Sequence, residues 1–179
     1  MDFFMEQKKL KGVYLHGYKG YVTEEKQVYL NQLGEVYHPN IDYDNHPTII
    51  FELWERFKDQ NIDFVAGTSL GGLLIYQLAK LLDVPVLLLN PAITAVEIVK
   101  DFIPKEVQKI DYKKNVMVVV GLKDDIILPQ LQLDFFEEEL KSNTNISIKK
   151  IDELGHFVPI QEFEEVFNEF VNIYITKNA

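Results

Sequence analysis

The sequence predicts an α/β protein in three layers, a mostly parallel six-stranded sheet between two sets of helices. Three observations carry this. Short apolar runs alternate with amphipathic helical stretches six times along the chain. Such alternation requires crossover connections, which are right-handed and leave the strands parallel. The run Val84 to Leu89 is almost unbroken in its apolar residues, as in a strand covered on both faces. Finally, no linker, repeat or low-complexity tract interrupts the pattern. Residues 1–179 are therefore read as one domain, large enough to bury a substantial core.

The elements follow in order. Lys11 to His16 reads as a buried strand, broken by Gly17 and Gly20. Thr23 precedes Glu24 and Glu25 as an N-cap with acids behind it, and the helix runs to Leu33, where Gly34 stops it. Glu35 to Tyr37 is a second strand, and residues 40–46 are polar and turn-like. Pro47 suits the first turn of a helix carrying Ile50, Leu53, Trp54 and Phe57 at helical spacing. Asn61 to Ala66 forms the third strand, residues 70–82 a helix, and Val84 to Leu89 the fourth strand. Residues 93–114 are less regular, with one short helix expected near 94–102 and a turn at Pro104. Val116 to Val120 is the fifth strand. Pro129 opens a helix to about Lys141, Ile146 to Ile151 is the last strand, and residues 160–175 form the final helix with Phe163, Phe167, Phe170 and Tyr174 on one face.

Composition removes several classes of function. With 18 Lys and Arg against 28 Asp and Glu, the net charge is −10. That disfavours nucleic acid, whose binding needs clustered cations, and anionic membrane surfaces. The absence of cysteine excludes disulfides, thiol catalysis and cysteine-based metal sites. Met1 to Gln7 carries an early acid and no apolar core of a secretory signal, and no apolar run is long enough to span a bilayer. A cytoplasmic protein with no nucleic-acid or membrane partner is the expectation.

Ligand sites in open parallel sheets lie beyond the carboxyl ends of the strands, and four groups fall there. The first is Ser69, in Gly67-Thr68-Ser69-Leu70-Gly71-Gly72 between the third strand and its helix. Gly67 and Gly71 allow strand and helix to approach closely while the hydroxyl stays exposed, and the helix N-terminus favours a developing oxyanion. This is the strand–turn–helix context of a nucleophilic serine. A phosphate-binding loop is excluded, because no Gly-Lys-Ser/Thr follows, and the dinucleotide glycine spacing is absent. Ser142 and Ser147, the only other serines, lie in a polar turn and inside a strand.

A serine hydroxyl needs a base. His38 and His46 lie in turn segments and read as surface residues. His156, in Gly155-His156-Phe157 after the last strand, stands third in the chain order serine, acid, histidine. The acid falls in Gly121-Leu122-Lys123-Asp124-Asp125. Adjacent side chains diverge, so one of the two aspartates reaches the imidazole, and the spacing favours Asp124. Asp152 and Glu153 read as loop residues. The oxyanion donors are expected to be the backbone N–H groups of Leu70 and of Tyr18 in the loop after the first strand. His16 and Gly17 in that loop are expected to border the substrate.

With these pieces in order, the chain resembles the α/β-hydrolase superfamily over nearly its whole length, and in particular the small, lidless bacterial esterases typified by YqiA. Tyr14-Leu15-His16-Gly17-Tyr18, the Ser69 turn, the Asp124 turn and Gly155-His156-Phe157 carry the superfamily resemblance, and Leu88-Leu89-Asn90-Pro91-Ala92 is the more group-specific stretch. The resemblance implies hydrolysis of carboxylic esters or acyl thioesters by Ser69, Asp124 and His156, acting on a small-molecule substrate with no metal and no organic cofactor. The two adjacent aspartates depart from the usual single acid. The short segment after Ala92 leaves no room for a large cap, so the site should be open. Acyl transfer through the same acyl-enzyme, or a non-catalytic binding protein on this fold, are the alternatives.

Overall fold

The computed structural model describes residues 9–176. The expectation concerning a signal in residues 1–7 lies outside them. The chain runs β1 (Leu10–Leu15), α1 (Glu24–Leu33), β2 (Gly34–Tyr37), α2 (Ile49–Phe57), β3 (Phe64–Thr68), α3 (Ser69–Leu82), β4 (Val86–Leu89), α4 (Val96–Val99), β5 (Val116–Gly121), α5 (Pro129–Glu139), β6 (Ile146–Ile151) and α6 (Ile160–Phe170). The six strands form one sheet in the order β2-β1-β3-β4-β5-β6, and every pairing is parallel. The strand order reverses between β1 and β3. That is the switch point at which the loops leaving neighbouring strands splay apart and open a crevice.

Alternation along the strands builds two cores, one per sheet face. Val13, Leu15, Val65, Val86, Leu88, Val116, Val118 and Val120 pack with residues of α2, α3 and α5. Tyr14, Phe64, Ala66, Leu87, Leu89, Met117 and Val119 pack with α1 and α6. The phenylalanines of α6 supply a cluster of ring contacts in the second core. Phe163 meets Tyr14 edge-on at 5.4 Å, and Phe170 meets Phe64 at 6.0 Å, a favoured aromatic geometry.

Several boundaries differ from the sequence expectation for identifiable reasons. α1 passes directly into β2 at Gly34, which has φ 150° and lies so close to Leu10 that a Cβ would stand 2.2 Å from its carbonyl oxygen. Only glycine fits such a contact. β3 starts later than Asn61 and extends through Thr68, because Gly67 and Thr68 pair with Leu88 and Leu89. α2 starts at Ile49, so Pro47 lies in the turn before it rather than in its first turn. Segment 40–46 is not merely a polar turn, since Ile41 and Tyr43 are buried. The expected helix near 94–102 is broken into a 3₁₀ turn (Ile93–Ala95), α4 and a second 3₁₀ turn (Lys100–Phe102). The final helix loosens into a π-helical turn over Val171–Ile175. Among the described residues, no helix is long and apolar enough to cross a membrane.

Candidate active site

The sharp turn from β3 into α3 puts Ser69 at φ 52°, in the left-handed region. A non-glycine residue there costs about 1–2 kcal/mol, and such strain is held only where the surroundings fix it. Here they do. A Cβ on Gly71 would lie 2.2 Å from the His16 carbonyl oxygen, and one on Gly67 would lie 2.6 Å from that of Gly71. The absence of both side chains is what lets α3 start directly against β1. The Ser69 carbonyl accepts from the Ala92 N–H at 2.9 Å, which ties the turn to the exit of β4.

His156 reaches Ser69 from the loop between β6 and α6. Its Nε2 lies 3.0 Å from Ser69 Oγ. Its Nδ1 lies 2.9 Å from Asp124 Oδ2 and 3.1 Å from Oδ1. A carboxylate only accepts, so the proton sits on Nδ1 and Nε2 is free to take the serine proton. Asp124 is 3 % exposed. Its Oδ1 also accepts from the Ile126 and Ile127 N–H groups at 2.9 and 2.8 Å, an Asx-type turn that aims the carboxylate inward. Asp125 and Asp152 are exposed, and Glu153 pairs with Lys123.

The loop after β1 packs against the serine. A Cβ on Gly17 would lie 3.1 Å from Ser69 Cβ and 3.6 Å from its Oγ, so the backbone entering Tyr18 runs beside the hydroxyl. The Gly20 N–H donates to the Gly17 carbonyl at 3.0 Å and closes the turn. Leu70, second residue of α3, has an N–H without an intrahelical acceptor by position. The Tyr18 ring borders the cavity at Ser69, and its hydroxyl donates to Asp44 at 2.9 Å.

The expectation that His16 borders substrate is corrected. Its ring is 2 % exposed. Nδ1–H donates to the Gly17 carbonyl at 2.7 Å, and Nε2 accepts from the Ile41 N–H at 2.7 Å. The Tyr43 hydroxyl donates to its carbonyl. Burial holds its pKa below the ordinary histidine value, against the smaller upward effect of the Gly17 bond. With both nitrogens occupied, His16 shapes the loop and offers nothing to a ligand. Gly17 likewise supports the serine rather than lining the cavity. His38 bonds Asn31 away from the site, whereas His46 stands at the cavity's edge.

Asn90 is a residue whose role sequence reasoning did not identify. It is fully buried with φ 43°, a conformation asparagine tolerates better than most residues. Its Nδ2 donates to the carbonyls of Gly155 and His156 at 2.8 and 3.1 Å, and its Oδ1 accepts from the Gly121 N–H at 2.7 Å. One amide thus ties the histidine loop to the end of β5, where the acid turn begins. The available signal was an asparagine followed by proline at the end of a wholly apolar strand. Among the described residues, no three His, Asp or Glu side chains cluster as metal ligands do.

A wholly parallel sheet, a strained serine turn after β3, and an aspartate and a histidine delivered by the exits of β5 and β6 define an α/β-hydrolase fold. Solved structures agree. An acyl-protein thioesterase 2 from Zea mays superposes with a TM-score of 0.63 at 15 % identity, over 92 % of this chain and 93 % of its own. An esterase from Pyrococcus furiosus gives 0.66 at 16 %, over 93 % and 83 %. A monoacylglycerol lipase from Paleococcus ferrophilus gives 0.61 at 16 %, over 90 % and 93 %. At such identities the likeness is one of fold. By sequence, no curated protein matches the chain. The chain belongs to the family described as Uncharacterised protein family (UPF0227), whose model matches residues 11–176. Its fold is that of the small α/β hydrolases that its motifs resemble.

Proposed function

We propose that the protein is a serine hydrolase cleaving carboxylic esters or acyl thioesters of small molecules on a single domain. The observation that carries this is the continuous relay from Ser69 Oγ through His156 to Asp124, with links of 3.0 and 2.9 Å, at the edge of a cavity lined mainly by apolar residues. Ser69 attacks the acyl carbonyl while His156 Nε2 takes its proton. Asp124 keeps the imidazole in the required tautomer and stabilises the imidazolium. The N–H groups of Leu70 and Tyr18 donate to the tetrahedral oxyanion, reinforced by the N-terminus of α3. His156 then protonates the leaving group, and water, activated by the same imidazole, releases the acid and restores Ser69.

The test is labelling with a fluorophosphonate probe. The wild-type protein is expected to be modified at Ser69 and the folded Ser69→Ala variant to stay unmodified. Unlabelled wild type, or equal labelling of both, overturns the reading.

A further inference from the structure

The cavity beside Ser69 has a volume of about 460 Å³ and a consistent polarity. Leu70 and Leu74 of α3 lie on one of its walls, one helical turn apart on a single face. Ala95 and Val99, again four residues apart, belong to the segment around α4, with Phe102 beyond them, and Ile127 comes from the acid loop. None of these six carries a charge. Asp44 at the edge is the one carboxylate among the lining residues, and it is engaged by the Tyr18 hydroxyl. No Lys or Arg lines the cavity, and His46 at its edge is the one lining side chain that can become cationic, so a negatively charged group carried deeper among the apolar walls would be desolvated without a partner.

The cavity lies on one particular side of the ester. His156 is absent from its lining, yet the leaving group must depart past His156 to be protonated. The leaving group therefore exits towards solvent, and the cavity starting at Leu70 receives the acyl half.

Resting on the proposed Ser69 chemistry, we infer that this cavity binds the acyl half as an unbranched, uncharged aliphatic chain, and that the modest side chains of Ala95 and Val99 on its wall leave the room the chain occupies. At about 30 Å³ per non-hydrogen atom, the volume takes roughly fifteen atoms, enough for the ester group and a chain of about ten carbons. Each methylene moved from water to such a wall gains about fourfold in kcat/KM until the cavity is full.

The experiment measures kcat/KM for p-nitrophenyl esters of unbranched acids from about 2 to about 16 carbons, on wild type and on Ala95→Phe and Val99→Trp. Wild type is expected to climb to an optimum near ten carbons and fall beyond it. Either variant moves the optimum to roughly four to six carbons and lowers the decanoate-to-acetate ratio at least about tenfold. Turnover independent of chain length in wild type, or an unmoved optimum in both folded variants, overturns the chain-length inference while leaving the Ser69 reading standing. Failure to hydrolyse any ester, by protein that the fluorophosphonate does not label, overturns both.

Discussion

Replacing Asn90 with alanine should damage stability and catalysis together, and the structure allows both to be sized. The side-chain amide makes three bonds, to the carbonyls of Gly155 and His156 and from the N–H of Gly121. Alanine strands the buried Gly121 N–H, and a buried unsatisfied group costs about 1–3 kcal/mol. The two carbonyls lose their donor, and alanine tolerates the left-handed backbone less well than asparagine by a further fraction of a kcal/mol. The expected loss is about 3–5 kcal/mol, near the top of the range for single substitutions. The loop carrying His156 is then no longer tied to β5, and a displacement of about 1 Å in a catalytic group costs about a hundredfold in rate. Urea unfolding reads the first effect and steady-state ester hydrolysis the second. In the folded variant kcat should fall about ten- to a hundredfold with KM little changed, because Asn90 is absent from the cavity lining. Asn90→Asp should move in the same direction, since a carboxylate can accept from Gly121 but cannot donate to the two carbonyls. A variant within about 0.5 kcal/mol and twofold in kcat of wild type would refute the reasoning.

Other substitutions probe the remaining geometry. Asp124→Asn should lower kcat by about three to four orders of magnitude by favouring the wrong imidazole tautomer, whereas Asp125→Asn, at an exposed site, should leave it within about twofold of wild type; the reverse result would reassign the acid. Ser69→Gly relieves the left-handed strain at φ 52°, so the urea midpoint should rise by the equivalent of about 0.5–1 kcal/mol while hydrolysis disappears, and a lower midpoint would contradict the strain argument. His16 contributes to a pH dependence of stability. Its pKa in the folded protein lies below 6.5, so the unfolded chain takes up the proton first. The contribution is complete above about pH 6.5 and is lost as the pH falls towards the lowered folded value. Unfolding midpoints of wild type and His16→Gln, compared at about pH 8 and about pH 5, should show the wild-type value falling more steeply on acidification, and parallel curves would count against it.

Periodicity and turn chemistry made most of the architecture legible. Apolar runs interleaved with helical stretches specify a parallel sheet because each element must bury its own face, and that demand is written within a few residues. The Ser69 turn was equally local, since its glycines answer a steric constraint between one strand and the next helix. The order serine, aspartate, histidine along the chain named the candidates Ser69, Asp124 and His156. What the sequence left open was what depends on residues distant in the chain. Asp124 and Asp125 are chemically identical neighbours, and the N–H groups of Ile126 and Ile127, together with His156 Nδ1, hold the first inward. His16 looked available to a ligand until Ile41, twenty-five residues on, took its second nitrogen. Asn90 looked like a strand end until the fold brought Gly121 and the His156 loop to it. The cavity walls come from α3, the segment around α4, the 43–47 turn and the acid loop, which meet only once the sheet has assembled. Local sequence determined the elements and the candidate groups, because steric and hydrophobic demands act on near neighbours. Tertiary structure decided which partner each polar group finds, because a buried hydrogen bond is satisfied by whatever the fold brings within 3 Å of it.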